Sequence, residues 1–574
     1  MKILAEKLRA YFPGSTLFYL LLGLVLFTGI VLRLMGIDFP ITYGPDQERV
    51  LALALGHVHT GDLNPHFFNY PSFYGYTLAL VYGVFSGITG TPIPENVEPI
   101  MQTRLMLHYP LAELALPYYV VGRIFTVLFY SMGTIVLTYM IGKRLYGRWV
   151  GLLGALFLAL TPLHVWNSHY IEVDVPLGFW IALAAYLAVR VYESPRPKWY
   201  IGAGVAAGLA AGTKYPGAIA MLMPMTALIM YELRERWQGG GIAGKIRSAF
   251  GFLSAEYFWG QLFWVGVAAA IAFVAVVPYA VFDNEEFLND LRSELRHSQR
   301  GHYGADTSPR GIVYTQGLYY LLAGLPFSMG LPLYIAAVLG VLFALLNALI
   351  RRNPGDWMLL IFILAYYAVT GTSKLTFIRY MIPLLPYFGI LAARLFQSLI
   401  HVKIKSLAYV GAALLAVVLI YTLAFDLSTN VKFTNDARTV AAEALHDLLP
   451  DGAKVAVAGP FVGYYPHIDK KWPDGKKINY IDCQQKDHTI ILSLCDADAI
   501  LLSSNIYVRP YRDPQLFIRP YNWFERMRND ETEYKRVAVF ENDYLNRDFY
   551  TSLDIGFIGA ASPRIEVYVR DGDG

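Results

Sequence analysis

The sequence predicts a polytopic α-helical membrane protein of about eleven transmembrane helices, with a small external α/β domain at its C-terminal end. Three observations lead there. Of 574 residues, 55% are hydrophobic and only 16% are charged, unlike an ordinary soluble domain. Apolar runs recur from Thr16 to Phe425, each near the roughly 20 residues that a helix needs to cross a bilayer. Beyond Asn430 the composition turns polar, with short apolar runs set between turn residues.

Lipid offers the backbone no hydrogen-bond partners, so the apolar runs are read as helices. The expected spans are Thr16–Leu34, Pro117–Ile141, Trp149–Leu163, Val175–Val191, Trp199–Ala211, Gly217–Tyr231, Leu262–Phe282, Phe327–Ile350, Trp357–Thr370, Met381–Leu399 and Leu407–Phe425. The first follows Lys2, Lys7 and Arg9, but it is long and has no clear small-residue cleavage site, so it reads as a retained anchor. Basic clusters fall in alternate loops: Lys143/Arg144/Arg148, Arg190/Arg196/Lys198, Arg234/Arg236/Lys245/Arg247, Arg351/Arg352 and Lys403/Lys405. With the N-terminus they mark the cytoplasmic side by the positive-inside rule. An odd number of spans then places the C-terminal domain in the periplasm or outside the cell. The expected home is the cell membrane, in contact with membrane lipids. A net charge of +3 gives no electrostatic footprint for nucleic acid.

Two parts are expected, a membrane module over residues 1–429 and a soluble domain over 430–574. In the second, a helix at Ala437–Leu449 precedes strands at Lys454–Ala458, Ile478–Asp482, Ala499–Ser503, Arg536–Phe540 and Ile565–Val569. It has no glycine-rich phosphate loop, so no nucleotide cofactor is expected. Cys483 and Cys495 are the only cysteines, and either a disulfide or two free thiols would suit them.

The external face gathers the residues that bear chemistry. The first loop, residues 35–116 with an amphipathic stretch at Val50–His59, contains Asp46-Gln47-Glu48 and then His66 and Tyr70-Pro71. Asp46 follows a Gly-Pro turn and sits where a helix begins, so taken alone it is an N-cap, and Glu48 complements the helix dipole. The second external loop repeats the pattern with His169, Glu172 and Asp174 before Pro176. Two acid pairs on one membrane face are able to converge: on a divalent cation, with Asp46 and Asp174 as oxygen ligands, or as a general base and its partner. His66 and His169 lack the spacing of a metal motif and are expected to hydrogen-bond in a polar cleft. Lys214, Arg292, Arg296, Arg300, Lys374 and Arg379 run against the charge bias on this face, which suggests an anionic ligand such as a phosphate. For the three arginines at i,i+4 spacing, pairing with Glu285, Glu286, Asp290 and Glu294 is an equal alternative. Lys214 and Arg379 have fewer local partners.

The order of these motifs resembles the GT-C class of glycosyltransferases, in the branch of protein O-mannosyltransferases and the lipid A aminoarabinose transferase. Asp46-Gln47-Glu48, Tyr70-Pro71, Asp174-Val175-Pro176, Thr213-Lys214 and Lys374-Leu375…Arg379-Tyr380…Pro383 carry the resemblance over roughly Met1–Leu399. Two departures stand out: Gln47 separates the first acids, and Thr376 stands where the class usually has proline. The resemblance implies transfer of a sugar from a polyprenyl-phosphate-linked donor to a lipid, glycan or protein hydroxyl, with inversion. Asp46 would be the base, with Glu48 and Asp174 as further catalytic candidates. Lys214, Arg379 and Lys374 would bind the donor phosphate, and His66, Tyr70, His169 and Glu172 would line the sugar or acceptor cleft. An oligosaccharyltransferase or a polymer-building enzyme of the class is the nearest alternative. A polytopic transporter or an envelope scaffold would not account for charges gathered at one face, since transporter sites lie near the bilayer midplane.

Overall fold

The computed structural model describes residues 14–39, 47–95, 97, 109–236, 256–300, 316–457, 466, 472–482, 496–512, 514, 518–552 and 563–571. Asp46, Cys483 and Cys495 lie outside them, as do Lys245 and Arg247.

Among the described residues nine helices are long and apolar enough to cross a membrane, and a tenth span is bent by 61° between Arg148–Leu160 and Pro162–Ser168. The chain is a multi-pass membrane protein. The bend falls at Thr161-Pro162, where proline withholds an N–H and pushes its predecessor into extended backbone. The remaining expected span, Trp199–Ala211, is the 17-residue helix Pro197–Thr213, packed along Glu256–Val276. Gly208 lies so near the Ala269 carbonyl that any side chain would overlap it, the close backbone approach typical of helix pairs in lipid.

Several boundaries differ from the expected ones. The span expected at Leu262–Phe282 runs instead over Glu256–Val276, because Pro278 stops it. Gly330, at φ 76°, splits Phe327–Ile350 into Leu325–Met329 and Leu331–Ile350. The last span continues to Thr434. The first loop holds, besides Gln47–Thr60, a second helix at Phe73–Thr89 that lies within the stretch read as loop.

The C-terminal region forms one five-stranded sheet: β1 (Lys454–Val457), β2 (Asn479–Asp482), β3 (Ala499–Ser503), β4 (Tyr534–Phe540) and β5 (Ile565–Arg570), in spatial order β2-β1-β3-β5-β4. β1 runs parallel to β2 and β3, whereas β5 runs antiparallel to β3 and β4. Tyr550 ties this region to the bundle. Its ring packs on Phe327 and Phe425, and its hydroxyl accepts from the Leu331 N–H at 3.1 Å.

Candidate functional site

Three chain breaks at one end of the bundle bring the site together. The helix Asp174–Glu193 begins at Asp174, where a carboxylate complements the N-terminal dipole. Pro176 follows in its first turn, where its missing N–H costs nothing. The helix Pro197–Thr213 ends at Lys214, whose extended backbone (φ −155°, ψ 134°) swings the side chain off the helix axis. A 3₁₀ turn, Tyr215–Met221, continues the chain. It folds back so closely that a side chain on Gly217 would overlap the Ala210 carbonyl. Arg379 sits in a second 3₁₀ turn, Ile378–Leu384, placed before the helix Leu385–Ile400.

The result is a compact cluster of two acids and two cations. Lys214 Nζ lies 2.6 Å from Asp174 Oδ1, and Arg379 Nε lies 3.3 Å from Asp174 Oδ2 and 3.7 Å from Glu172 Oε2. The carboxylates are sealed, 2% and 3% exposed, whereas the cations keep 12% and 14%. The acids thus lie beneath and the cations above them, toward solvent. Aromatic rings support the cations: Lys214 Nζ is 4.1 Å from the Tyr380 ring centre, and the Arg379 guanidinium is 4.3 Å from that of Phe377. Tyr320 donates to the Leu375 and Phe377 carbonyls at 3.3 and 3.2 Å and so fixes the segment that leads to Arg379. Chemically this is a preorganised, partly buried pair of donors facing outward, suited to an oxyanion.

The other expected residues are placed elsewhere. Glu48 is buried in the first turn of its helix, among Tyr119 and Arg123. Arg123 also donates to the Ile37 and Phe39 carbonyls, at 3.1 and 2.8 Å, and covers the Phe39 ring at 3.6 Å. Tyr170 is near enough to both Arg123 and Glu172 to feel their charges. Arg123 was not singled out from the sequence. Its signal is a lone arginine in an otherwise apolar span.

His169 is fully buried, stacked on Phe433 at 4.0 Å, with both ring nitrogens 3.0 Å from backbone carbonyls, those of Val165 and Met35. Burial pushes its pKa down to about 4, against the two carbonyls, which favour the doubly protonated ring. Tyr70 is partly buried against Phe67. Lys374 is exposed, and its N–H donates to the Ser298 carbonyl at 2.8 Å.

His66 is exposed at φ 45° and faces Asp62 and Glu286 at 3.5 and 3.4 Å. Its ring nitrogen and the oxygens of Asp283 and Glu286 lie within 4.8 Å of one another, the arrangement among the described residues best suited to a metal ion. A hydrogen bond from Asn64, at 2.8 Å, holds the Asp283 carboxyl below the usual range. At Asp174, by contrast, both carboxylate oxygens already face cations, which does not suit a metal.

Residues 118–243 match the family described as dolichyl-phosphate-mannose-protein mannosyltransferase, an interval that contains Arg123, Glu172, Asp174 and Lys214. An uncharacterized protein of Aquifex aeolicus is 25% identical over 299 residues, which span 52% of this chain and 53% of that one. The chain thus aligns with about half the length of this relative. The apo oligosaccharyltransferase of Archaeoglobus fulgidus superposes with a TM-score of 0.51 at 12% identity, covering 96% of this chain and 88% of that one. The Archaeoglobus fulgidus enzyme in complex with an inhibitory peptide and a dolichol-phosphate gives a TM-score of 0.50 at 12% identity, covering 93% and 75%. The chain therefore has the GT-C fold, and over residues 118–243 it resembles the protein mannosyltransferases.

Proposed function

We propose that this protein is a membrane glycosyltransferase that moves a sugar, a hexose or a pentose, from a polyprenyl-phosphate donor to an acceptor hydroxyl. The observation that carries the proposal is the outward-facing pair Lys214 and Arg379, held by the buried Asp174 and Glu172. In the reaction the acceptor oxygen bonds to the anomeric carbon as the bond from that carbon to the phosphate oxygen breaks, inverting the centre. The acceptor proton passes to Asp46, and the leaving group departs as polyprenyl phosphate. Its phosphate goes from one negative charge to about two, so cations stabilise the transition state more than the bound donor. Glu48 and Glu172 are placed to tune the cleft rather than to take the proton, since both are buried beside arginines. His66, Asp283 and Glu286 would hold a divalent cation if the reaction employs one, and no step above requires it.

The test replaces Asp46 with Asn in protein that still inserts and folds, and follows transfer from a radiolabelled polyprenyl-phosphosugar. Loss of a general base lowers turnover by about 10²- to 10⁴-fold; near-normal turnover removes Asp46 from that role. A second reading, transfer to a peptide, gains support from the fold shared with the archaeal oligosaccharyltransferase bound to an inhibitory peptide. Labelled sugar recovered on an added acceptor peptide, rather than on lipid or glycan, would favour it.

A further inference from the structure

The helix Asn284–Arg300 divides its circumference among three kinds of side chain. Its acids are engaged with the first loop: Glu286 with His66 at 3.4 Å, Asp290 with the Phe68 N–H at 2.7 Å, and Glu294 with Asn69 at 3.5 Å. Just before the helix, Asp283 accepts from Asn64. No acid of the helix stands three or four residues from one of its arginines, so the two sets of charges point to different sides. Arg292, Arg296 and Arg300 lie on another side, at steps of one helical turn; all three are exposed, and none forms an ion pair with a described carboxylate. Between the two sides runs an apolar strip. Phe287 packs inward on Phe68, while Leu288 and Leu295 are 41% and 56% exposed.

The ends of this helix fix its level. Its N-terminal end follows the span Glu256–Val276 after a short turn, Tyr279–Phe282, in which Phe282 is 80% exposed. Near its C-terminal end, the Ser298 carbonyl accepts from Lys374, two residues beyond the span Pro354–Thr372. A rod of about 25 Å tethered to the ends of two spans at the same face lies along the membrane surface. Exposed leucines continue the apolar side of the bundle, and an arginine row stands next to them. This is the pattern of a helix seated at the boundary of headgroups and acyl chains.

We propose that the Arg292/Arg296/Arg300 face binds the anionic headgroups of membrane phospholipids, with Phe282, Leu288 and Leu295 set among the acyl chains. Guanidinium groups pair with phosphate through two parallel hydrogen bonds, which suits them to this partner better than lysine. The occupant is bulk anionic lipid and not the lipid-linked donor, whose phosphate the preceding proposal gives to Lys214 and Arg379. The inference does not depend on the reaction assigned to that site.

The experiment measures phosphatidylglycerol and phosphatidylcholine retained by the detergent-purified full chain, by native mass spectrometry. Wild type is compared with the triple variant R292Q/R296Q/R300Q. Each arginine near an anionic surface contributes about a fivefold preference at low salt, so the triple variant should lose phosphatidylglycerol about a hundredfold more readily than wild type. Phosphatidylcholine should be unaffected. Equal retention of the two lipids by wild type, or an unchanged preference in the triple variant, overturns the proposal. So does displacement of phosphatidylglycerol by an equimolar short-chain polyprenyl phosphate, because that outcome assigns the row to the donor. If the triple variant does not fold, the three single variants carry the same test, each with about a fivefold loss.

Discussion

Lys214 is paired with Asp174 at 2.6 Å, and an ion pair of that kind has two explanations. Either the lysine neutralises a buried acid, or the acid positions a lysine that acts on a phosphate. The two separate in a cycle of K214M, D174N and K214M/D174N. Asp174 is 2% exposed, so removing its lysine strands a carboxylate beside Arg379 alone; breaking such a buried pair costs about 3–5 kcal/mol, less whatever Arg379 recovers at 3.3 Å. Asparagine in place of the acid strands the lysine in the same way. In the double variant no charge of the pair is left unpartnered, and Arg379 retains Glu172 at 3.7 Å, so about 2 kcal/mol or more of stability should return. Turnover should not return with it. Losing one preorganised donor to a developing oxyanion costs about 2.7–4 kcal/mol, or 10²- to 10³-fold in kcat, and a methionine side chain in place of the lysine has no donor to offer. The assays are thermal unfolding in nanodiscs and initial rates with a labelled polyprenyl-phosphosugar. If the double variant recovers kcat along with stability, to within about fivefold of wild type, the lysine only neutralises Asp174 and the phosphate assignment is wrong.

Three further outcomes follow from the geometry. Gly217→Ala places a methyl group against the Ala210 carbonyl in the turn that presents Lys214; it should destabilise by about 1–3 kcal/mol and lower kcat, and an unchanged melting curve would show that the turn relaxes freely. Tyr320→Phe removes the hydroxyl that binds the Leu375 and Phe377 carbonyls; about 1 kcal/mol of stability should go, with a several-fold fall in kcat, whereas a fall in neither would free the Arg379 segment from this support. In the sheet, burial raises the pKa of Glu566, but Arg528 at 2.8 Å, a hydrogen bond from Tyr568 and Arg564 at 3.2 Å outweigh it, so the pKa ends below the ordinary value of 4.5. A carboxyl with a lowered folded-state pKa stabilises the fold above its unfolded-state value and loses that contribution as pH falls through the folded one. Unfolding of the C-terminal region should therefore steepen as pH drops below 4.5, and less so in E566Q; parallel pH profiles would refute the linkage.

The C-terminal region was the most legible part of the sequence. All five strands lie within two residues of their expected limits, because β-branched and aromatic residues alternate between plain turn signals. Helix ends were less legible where proline or glycine acts through tertiary packing. Pro162 could have bent the span, ended it or opened the next helix, and only packing decides. The helix Phe73–Thr89 is apolar over 17 residues, yet Tyr70-Pro71-Ser72 drew it into the loop reading. At the site, the opposition of Lys214 and Arg379 to the charge bias marked both residues. Their partners were not legible. Asp174 and Lys214 are 40 residues apart, and only the extended backbone at Lys214 brings them together. The Arg292, Arg296 and Arg300 series shows the reverse. The acids are near the arginines in sequence, but none is three or four residues away, so helix geometry separates the two sets and the acids meet the first loop.

The balance of charge at the site has a consequence for turnover. Among the described residues of the cluster two acids and two cations sum to zero, so in the proposed reaction a donor phosphate with one negative charge would meet no large excess of positive charge. Two cations without the acids would bind donor and departing polyprenyl phosphate alike with high affinity, and product release would become slow. In the proposed reaction Asp174 would prevent this by competing for the same donors. Its ion pairs with Lys214 and Arg379 would hold them in place before the reaction and weaken their hold on a singly charged phosphate. As the second charge develops on the leaving group, the contest would shift toward the phosphate. That difference, rather than the affinity of either cation, is the part of the interaction that would accelerate transfer. On this reasoning Asp174→Asn should tighten the binding of polyprenyl phosphate while it slows turnover, and an unchanged product inhibition constant would rule out the competition.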